Sequence, residues 1–351
     1  MNIQWVPKKS INVERVNELL EASVKLNHFT NGGPNTALLE EKTRELLAID
    51  PSKSVVCVSN GTVALWAVVA CFEVFHSRDL QFCTQSFTFP ASAQGYLDNV
   101  TVVDIDKEGG IDLDQVNLEK CDGIIVTNVF GNVVDISKYE DWSKTHNKFL
   151  VFDNAATSFT CYKGKNSCNY GHASTLSFHH TKPIGFGEGG CIIIDRQYER
   201  ALRNILNFGI DNTVVGSKWH RKGGNYKMSD IQAVYITQYL YNVQSIKDYT
   251  ESLYKYFLEK VKDEKISIQE YPNFSDGIPF VSCICIFSER SNEIITSLLA
   301  NKIYSRKYYN PLIESPVSVS FYQKIVCIPC TIDMKSEDID KIVTIISDAT
   351  L

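Results

Sequence analysis

No stretch of this 351-residue chain is long and apolar enough to cross a bilayer as a helix, and no run of Lys and Arg marks a footprint for a phosphate backbone. These gaps argue against membrane and nucleic-acid partners. Residues Met1-Asn2-Ile3-Gln4-Trp5 show no basic region leading into an apolar core, so a soluble, cytoplasmic protein is expected. Internal repeats, low-complexity tracts and Gly/Ser linkers are also missing. The parts of the chain are therefore expected to pack on one another rather than to string out as an array.

What is present is an ordinary globular composition: 44% hydrophobic and 22% charged residues, with a formal net charge of -6. The length exceeds what one hydrophobic core usually serves, so a large domain with a smaller companion is expected. Eleven cysteines, an odd number, are scattered through apolar runs such as Val55-Val56-Cys57-Val58 and Cys191-Ile192-Ile193-Ile194. They read as small buried hydrophobes in a reducing compartment. Cys327-Ile328-Pro329-Cys330 has the spacing of a redox or zinc motif, but no second pair at metal spacing accompanies it, and no metal is expected.

From Ser54 to Asp195 short β-branched runs alternate with helical patterns, the signature of crossover units on a mostly parallel sheet. Seven strands are expected: Ser54–Val58, Leu80–Thr84, Val100–Asp104, Gly123–Asn128, Phe149–Asp153, Ser174–Ser177 and Gly190–Asp195. Helices fall between them, notably Gly61 to Phe75 and Lys138 to Asn147. Beyond Asp195 come helical stretches at Glu199 to Asn207 and Ser229 to about Val261, the latter capped by Ser229-Asp230 and containing a domain change. A strand at Pro279 to Phe287, a helix at Asn292 to Lys302, an irregular Tyr-rich stretch and a helix from Ser336 to Ser347 make a smaller α+β unit.

Four motifs carry chemistry. Ser59-Asn60-Gly61-Thr62 joins a strand to an apolar helix; a Gly for close approach, free helix amides and a hydroxyl suit an anion, although an ordinary turn reads the same. Asp153 ends a buried strand and needs a cationic partner, which a protonated pyridine nitrogen would supply. Lys182 follows a buried strand among small residues and Gly, where desolvation favours the neutral amine that condenses with an aldehyde. On its own it reads as a surface lysine. Trp219 to Asp230 is a polar, basic and aromatic loop of the kind that meets ligands. Gly185, Gly187 and Gly190 match the spacing of a dinucleotide fingerprint, but they precede a strand instead of opening a helix, so that reading is set aside. His179-His180 is likewise a poor metal pair, because neighbours on an extended chain point to opposite sides.

In order and spacing the four motifs resemble the DegT-type family of pyridoxal-phosphate (PLP) dependent sugar-nucleotide aminotransferases. The likeness begins at Thr30-Asn31-Gly32-Gly33-Pro34, passes through Ser86-Phe87-Thr88-Phe89 and Asn128-Val129-Phe130-Gly131, and continues to Tyr308-Tyr309-Asn310-Pro311 and Ile328-Pro329-Cys330. The resemblance implies the fold of aspartate aminotransferase (fold type I), an α/β architecture with a large seven-stranded domain and a smaller α+β C-terminal domain. Its implied divisions are 1–30 as a segment packing on the small domain, 31–240 as the PLP-binding domain and 241–351 as the small domain.

It further implies Lys182 as the Schiff-base lysine and Asp153 as the partner of the pyridine nitrogen. Gly61, Thr62 and Ser177 would hold the phosphate, and Phe89 would stack on the ring. Asn225 would reach the cofactor phosphate of a neighbouring subunit, making a homodimer with shared sites. Thr30, Asn31, Asn128, Trp219, His220, Arg221 and Tyr309 are the implied substrate contacts, and the basic loop from Lys218 to Lys222 suits a diphosphate. Ala156 departs from the Gln or His of many members, and Lys227 from their Arg. The combination looks most like members that use L-glutamate to aminate C4 of a nucleotide-linked 4-keto-6-deoxyglucose, giving 4-amino-4,6-dideoxyglucose (viosamine). Action at C3 or on another keto sugar, and a non-catalytic sensor, are the alternatives.

Overall fold

A computed structural model describes residues 2–264, 266 and 268–350. Its main sheet has seven strands. From one edge they run Lys53–Val58, Gly190–Asp195, Ala173–Ser177, Phe149–Asp153, Gly123–Thr127, Phe82–Gln85 and Thr101–Val103. Gly190–Asp195 is antiparallel to both its neighbours, while the other four pairings are parallel.

The nearly continuous apolar runs follow from burial on both faces. Period-two alternation sends Val56, Val58, Ile125, Val151, Ile192 and Ile194 to the face covered by helices Gly61–Phe75 and Glu199–Leu206. Val55, Cys57, Cys191 and Ile193 face the other way, toward Leu39, Ile236 and Leu240, and Ile124, Val126, Leu150 and Phe152 toward Tyr139. The buried end of the edge strand carries Lys53, whose Nζ is matched by Asp195 Oδ1 at 2.8 Å and the Gly171 carbonyl at 2.7 Å.

A second, antiparallel sheet of Gln269–Glu270, Cys283–Phe287 and Ile325–Pro329 forms the smaller unit. Helices Val243–Asp263, Ser291–Ala300 and Ser336–Thr350 supply its separate core. Ile3 joins this unit by a parallel bridge to Ile303, whereas helix Val13–Leu26 packs instead on helices Pro34–Leu46 and Asp230–Leu240.

Two expectations need correction. The single helix expected from Ser229 to Val261 is two, Asp230–Leu240 and Val243–Asp263, interrupted where Asn242 leaves the helical region at φ -105°, ψ 2°. Asn is a weak helix former, and here its carbonyl accepts from Ser245 Oγ at 2.9 Å. Ser229 sits at the N-cap but makes no side-chain cap.

Asp230 is spent elsewhere. Helix Pro34–Leu46 begins at Gly33, which has no side chain to satisfy the first amides. Asp230 fills that role from another helix. Its Oδ1 accepts from the Thr36 amide at 2.7 Å and Thr36 Oγ1 at 2.9 Å, and its Oδ2 from the Asn35 amide at 3.2 Å and Ser23 Oγ at 2.5 Å. A Cβ on Gly33 would lie 2.6 Å from the Asp230 carboxyl carbon, so the glycine makes room for this cap. These donors hold the carboxyl below its usual range against the opposing effect of burial.

Asp230→Ala is therefore expected to cost about 3 kcal/mol at pH 7, since it strands several buried donors. Because the folded-state value is depressed, the carboxylate's stabilisation is complete above the unfolded value of ~4 and is lost as pH falls through the folded value. Urea unfolding should show the gap between parent and variant closing below about pH 4.

Candidate functional site

The strand ends at Asp153 and Ser177, the start of helix Gly61–Phe75 and the turn after Ser177 enclose a cleft of about 600 Å3. It lies at the carboxyl ends of the parallel strands, where open α/β sheets place their ligands.

At its floor, Asn60 Oδ1 caps the helix through the Val63 amide at 3.0 Å, and the Asn60 carbonyl receives the Ala64 amide. The Gly61 and Thr62 amides have no backbone or side-chain acceptor among the described residues, leaving two donors and the helix dipole facing the cleft. Packing here is tight. A Cβ on Gly61 would lie 3.0 Å from Ser177 Cβ, and one on Gly190 would lie 2.5 Å from the Asn60 carbonyl carbon. Bare backbone at both positions brings the hydroxyl-bearing strand end against the helix start.

Asp153 is 3% exposed. Its Oδ1 accepts from the Ala155 amide at 3.0 Å and Thr175 Oγ1 at 3.3 Å, and among the described residues no cation lies within ion-pair distance. Burial pushes this carboxyl up, opposed by the Ala155 amide, Lys182 and Thr175. Lys182 opens to the cleft while its amine is enclosed by protein. Burial lowers its affinity for a proton, and Asp153 acts against that. Each group is driven toward its neutral form. A bound cation beside Asp153 would reverse the balance for the carboxylate.

The turn bearing Lys182 is closed by hydrogen bonds from the Lys182 amide to the His179 carbonyl (2.8 Å) and from the Gly185 amide to the Lys182 carbonyl (3.1 Å). A Cβ on Gly185 would sit 1.9 Å from the His179 oxygen, so this glycine serves the turn. Strand Gly190–Asp195 follows directly, which accounts for the false dinucleotide spacing.

The cleft brings together Gly61, Thr62, Phe89, Asn128, Asp153, Ser177, Lys182 and Tyr309. Phe89 is 55% exposed and meets Tyr309 edge-on, with centroids 6.3 Å apart, leaving a ring face free. Asn128 spends its side chain on the protein, donating to Asn154 Oδ1 at 2.7 Å and accepting from the Val134 amide at 3.0 Å. Thr30, Asn31, Trp219, His220, Arg221 and Asn225 lie outside the cleft of their own chain. Lys222 corrects the expectation of a freely basic loop. Its Nζ bonds Glu73 Oε2 at 2.6 Å and also Asp79, so its charge is neutralised locally.

Sequence reasoning missed Trp66, one turn after Thr62, and the lining by His179, Thr181 and Glu188. Helical spacing from Thr62 was the available signal for Trp66. The sequence also offered no sign of the neighbours of Cys327, whose thiol meets Cys285 at 3.6 Å while Cys283 meets Cys285 at 3.7 Å. Cys330 turns instead to the Thr250 carbonyl. Alternation along Cys283-Ile284-Cys285 places both thiols on one face, opposite Cys327 in register.

Comparison with known proteins identifies the family. The model of the DegT/DnrJ/EryC1/StrS aminotransferase family matches residues 10–347. The dTDP-4-amino-4,6-dideoxy-D-glucose transaminase of Shigella dysenteriae is 26% identical over 94% of this chain and 94% of its own. The GDP-perosamine synthase of Escherichia coli O157:H7 is 26% identical over 76% of this chain and 75% of its own. Among solved structures, Helicobacter pylori PseC, an aminotransferase involved in the biosynthesis of pseudoaminic acid, superposes with a TM-score of 0.87 at 18% identity, covering 100% of this chain and 99% of that one. An anion cradle, a buried carboxylate with no cation beside it among the described residues and a lysine pushed toward its neutral form fit PLP; the chain belongs to the DegT/DnrJ/EryC1/StrS family as a PLP-dependent sugar-nucleotide aminotransferase.

Proposed function

We propose that the enzyme transfers the amino group of L-glutamate to C4 of a UDP- or dTDP-linked 4-keto-6-deoxyglucose, giving the 4-amino-4,6-dideoxy sugar viosamine. The observation that carries the chemistry is the placement of Lys182 and Asp153 in one cleft, with no cation within ion-pair distance of the carboxylate among the described residues. The Shigella relative, named for that amino sugar, supports the regiochemistry.

In this reading Gly61, Thr62 and Ser177 bind the cofactor phosphate, Phe89 covers one face of its ring, and Asp153 keeps the ring nitrogen protonated. Bound there, PLP supplies the electron sink for a carbanion next to nitrogen. The buried amine of Lys182 takes a proton from the α-carbon of glutamate in one half-reaction and delivers one to C4 of the sugar in the other. Two half-reactions through one site give ping-pong kinetics.

Asn225, Trp219, His220 and Arg221 serve the site of a second copy, which makes the working unit a homodimer. Their exposure in the single chain suits that role, Trp219 being 71% exposed. Lys227 fixes Asn225, its Nζ lying 2.7 Å from Asn225 Oδ1 and 3.0 Å from Asn207 Oδ1. In the same reading the PLP-binding domain ends at residue 240 and the small domain begins at 241; the interruption at Asn242 supports that division.

The test is to offer UDP- and dTDP-4-keto-6-deoxyglucose with L-glutamate and to identify the product by mass and NMR. A 4-amino-4,6-dideoxyglucose product is expected. An amino group at C3, or no amino sugar from either substrate, would overturn the assignment.

A further inference from the structure

Behind the turn that bears Lys182, on the side away from the cleft, lies the side chain of Lys9. Its Nζ donates to the Lys182 carbonyl at 2.7 Å and to the Gly185 carbonyl, and sits 4.6 Å from the centre of the Tyr239 ring. These are the two carbonyls at the ends of one turn. The Lys182 oxygen also receives the Gly185 amide, but the buried Gly185 oxygen has no other donor among the described residues. Removing Lys9 would leave that carbonyl bare, which native interiors avoid.

The ammonium has no carboxylate within ion-pair distance among the described residues. Burial pulls it from the ordinary lysine range to about 7. Among the described residues the two carbonyls and the Tyr239 face compensate that burial. Ordinary surface lysines do not spend their charge this way.

The segment that delivers Lys9 is itself held by the small unit. The Ile3 amide donates to the Lys302 carbonyl and the Tyr304 amide to the Ile3 carbonyl, each at 3.0 Å. The Lys8 amide then donates to Asp333 Oδ2 at 2.6 Å. Past Lys9, the Asn12 amide reaches Gln238 Oε1 at 3.1 Å on a helix of the large unit. Residues 3 to 12 thus run as a strap from one unit to the other, and Lys9 is where the strap grips the turn.

We propose that Lys9 is a positioning residue, clamping the turn of residues 179–185 from behind so that Lys182 is presented to the cleft in one orientation tied to the placement of the small unit. The proposal rests on Lys182 being the reacting amine. Lys9 touches no reacting atom and acts through the backbone of Lys182.

The test compares Lys9→Met, one atom shorter than Lys and without a donor, with Lys9→Gln, which has the same reach as Met and keeps neutral N–H donors. In the Met variant, amide exchange across residues 178–187 is expected to quicken about tenfold in both cofactor-free and PLP-loaded protein. The pH midpoint of the bound cofactor's visible absorption is expected to move, and the half-reaction with glutamate to slow about tenfold. Gln is expected to recover most of each change, which separates lost donors from lost folding. A Met variant whose turn exchanges as in the parent overturns the clamp, because the cofactor-free measurement does not depend on Lys182 chemistry. A parent whose added PLP gives no visible band overturns the reading of Lys182 instead.

Discussion

Lys182→Ala is expected to lower turnover with glutamate and a nucleotide-linked keto sugar by at least ~10^3-fold, and to abolish the visible absorption that depends on a lysine-bound cofactor. Among the described residues no other lysine lines the cleft to replace it. Lys222 is committed to Glu73 and Asp79, Lys227 to Asn225 and Asn207, and Lys9 points at the rear of the turn. The loss should not come from unfolding. Burial depresses the Lys182 value in the folded chain, so holding this group costs stability at any pH below its unfolded value of ~10.4. The cofactor-free variant should therefore melt no lower than the cofactor-free parent at pH 7. A variant with near-parental turnover would sink the assignment of Lys182.

The second large effect belongs to Asp153. Asp153→Asn keeps the shape and the contacts with Ala155 and Thr175 but removes the charge, and should retain PLP while slowing both half-reactions by ~10^2 to 10^3-fold. The sign of the stability change separates this from damage. In the chain alone the folded-state value of Asp153 is raised, so ionisation costs stability once pH exceeds the unfolded value of ~4. Without cofactor, then, the Asn variant should be as stable as the parent or more so at pH 7. With cofactor the order should invert, because only Asp gains a cationic partner. Rapid-mixing rates and melting curves with and without PLP would measure both, and an unchanged rate would remove Asp153 from its role.

Much of this site was legible because its groups lie where local patterns are strong. Phe149–Asp153 and Gly190–Asp195 match their expected limits, since buried strands bounded by polar and glycine residues leave little freedom. Helix Gly61–Phe75 does too, its ends marked by Asn60 and His76. Less legible was anything fixed by distant partners. Asp230 looks like a local cap, yet it satisfies a helix almost two hundred residues earlier, a role visible only once both helices are placed. Lys222 looks like a free cation until Glu73 and Asp79 are brought beside it. Helix Pro316–Lys324 was read as irregular because its mean composition is only weakly patterned, and packing of Val317 and Phe321 around Phe87 decides it.

The edge strand Lys53–Val58 pairs, within the main sheet, only with Gly190–Asp195, about 130 residues further along the chain. During synthesis it leaves the ribosome long before that partner exists. At ~5–20 residues per second it waits about 7–26 s with both hydrogen-bonding edges open. Its sequence, Lys-Ser-Val-Val-Cys-Val, is of the kind that pairs with strands of other chains when left exposed. Nascent-chain contacts with holding chaperones should therefore be concentrated in the interval before residue 195 emerges.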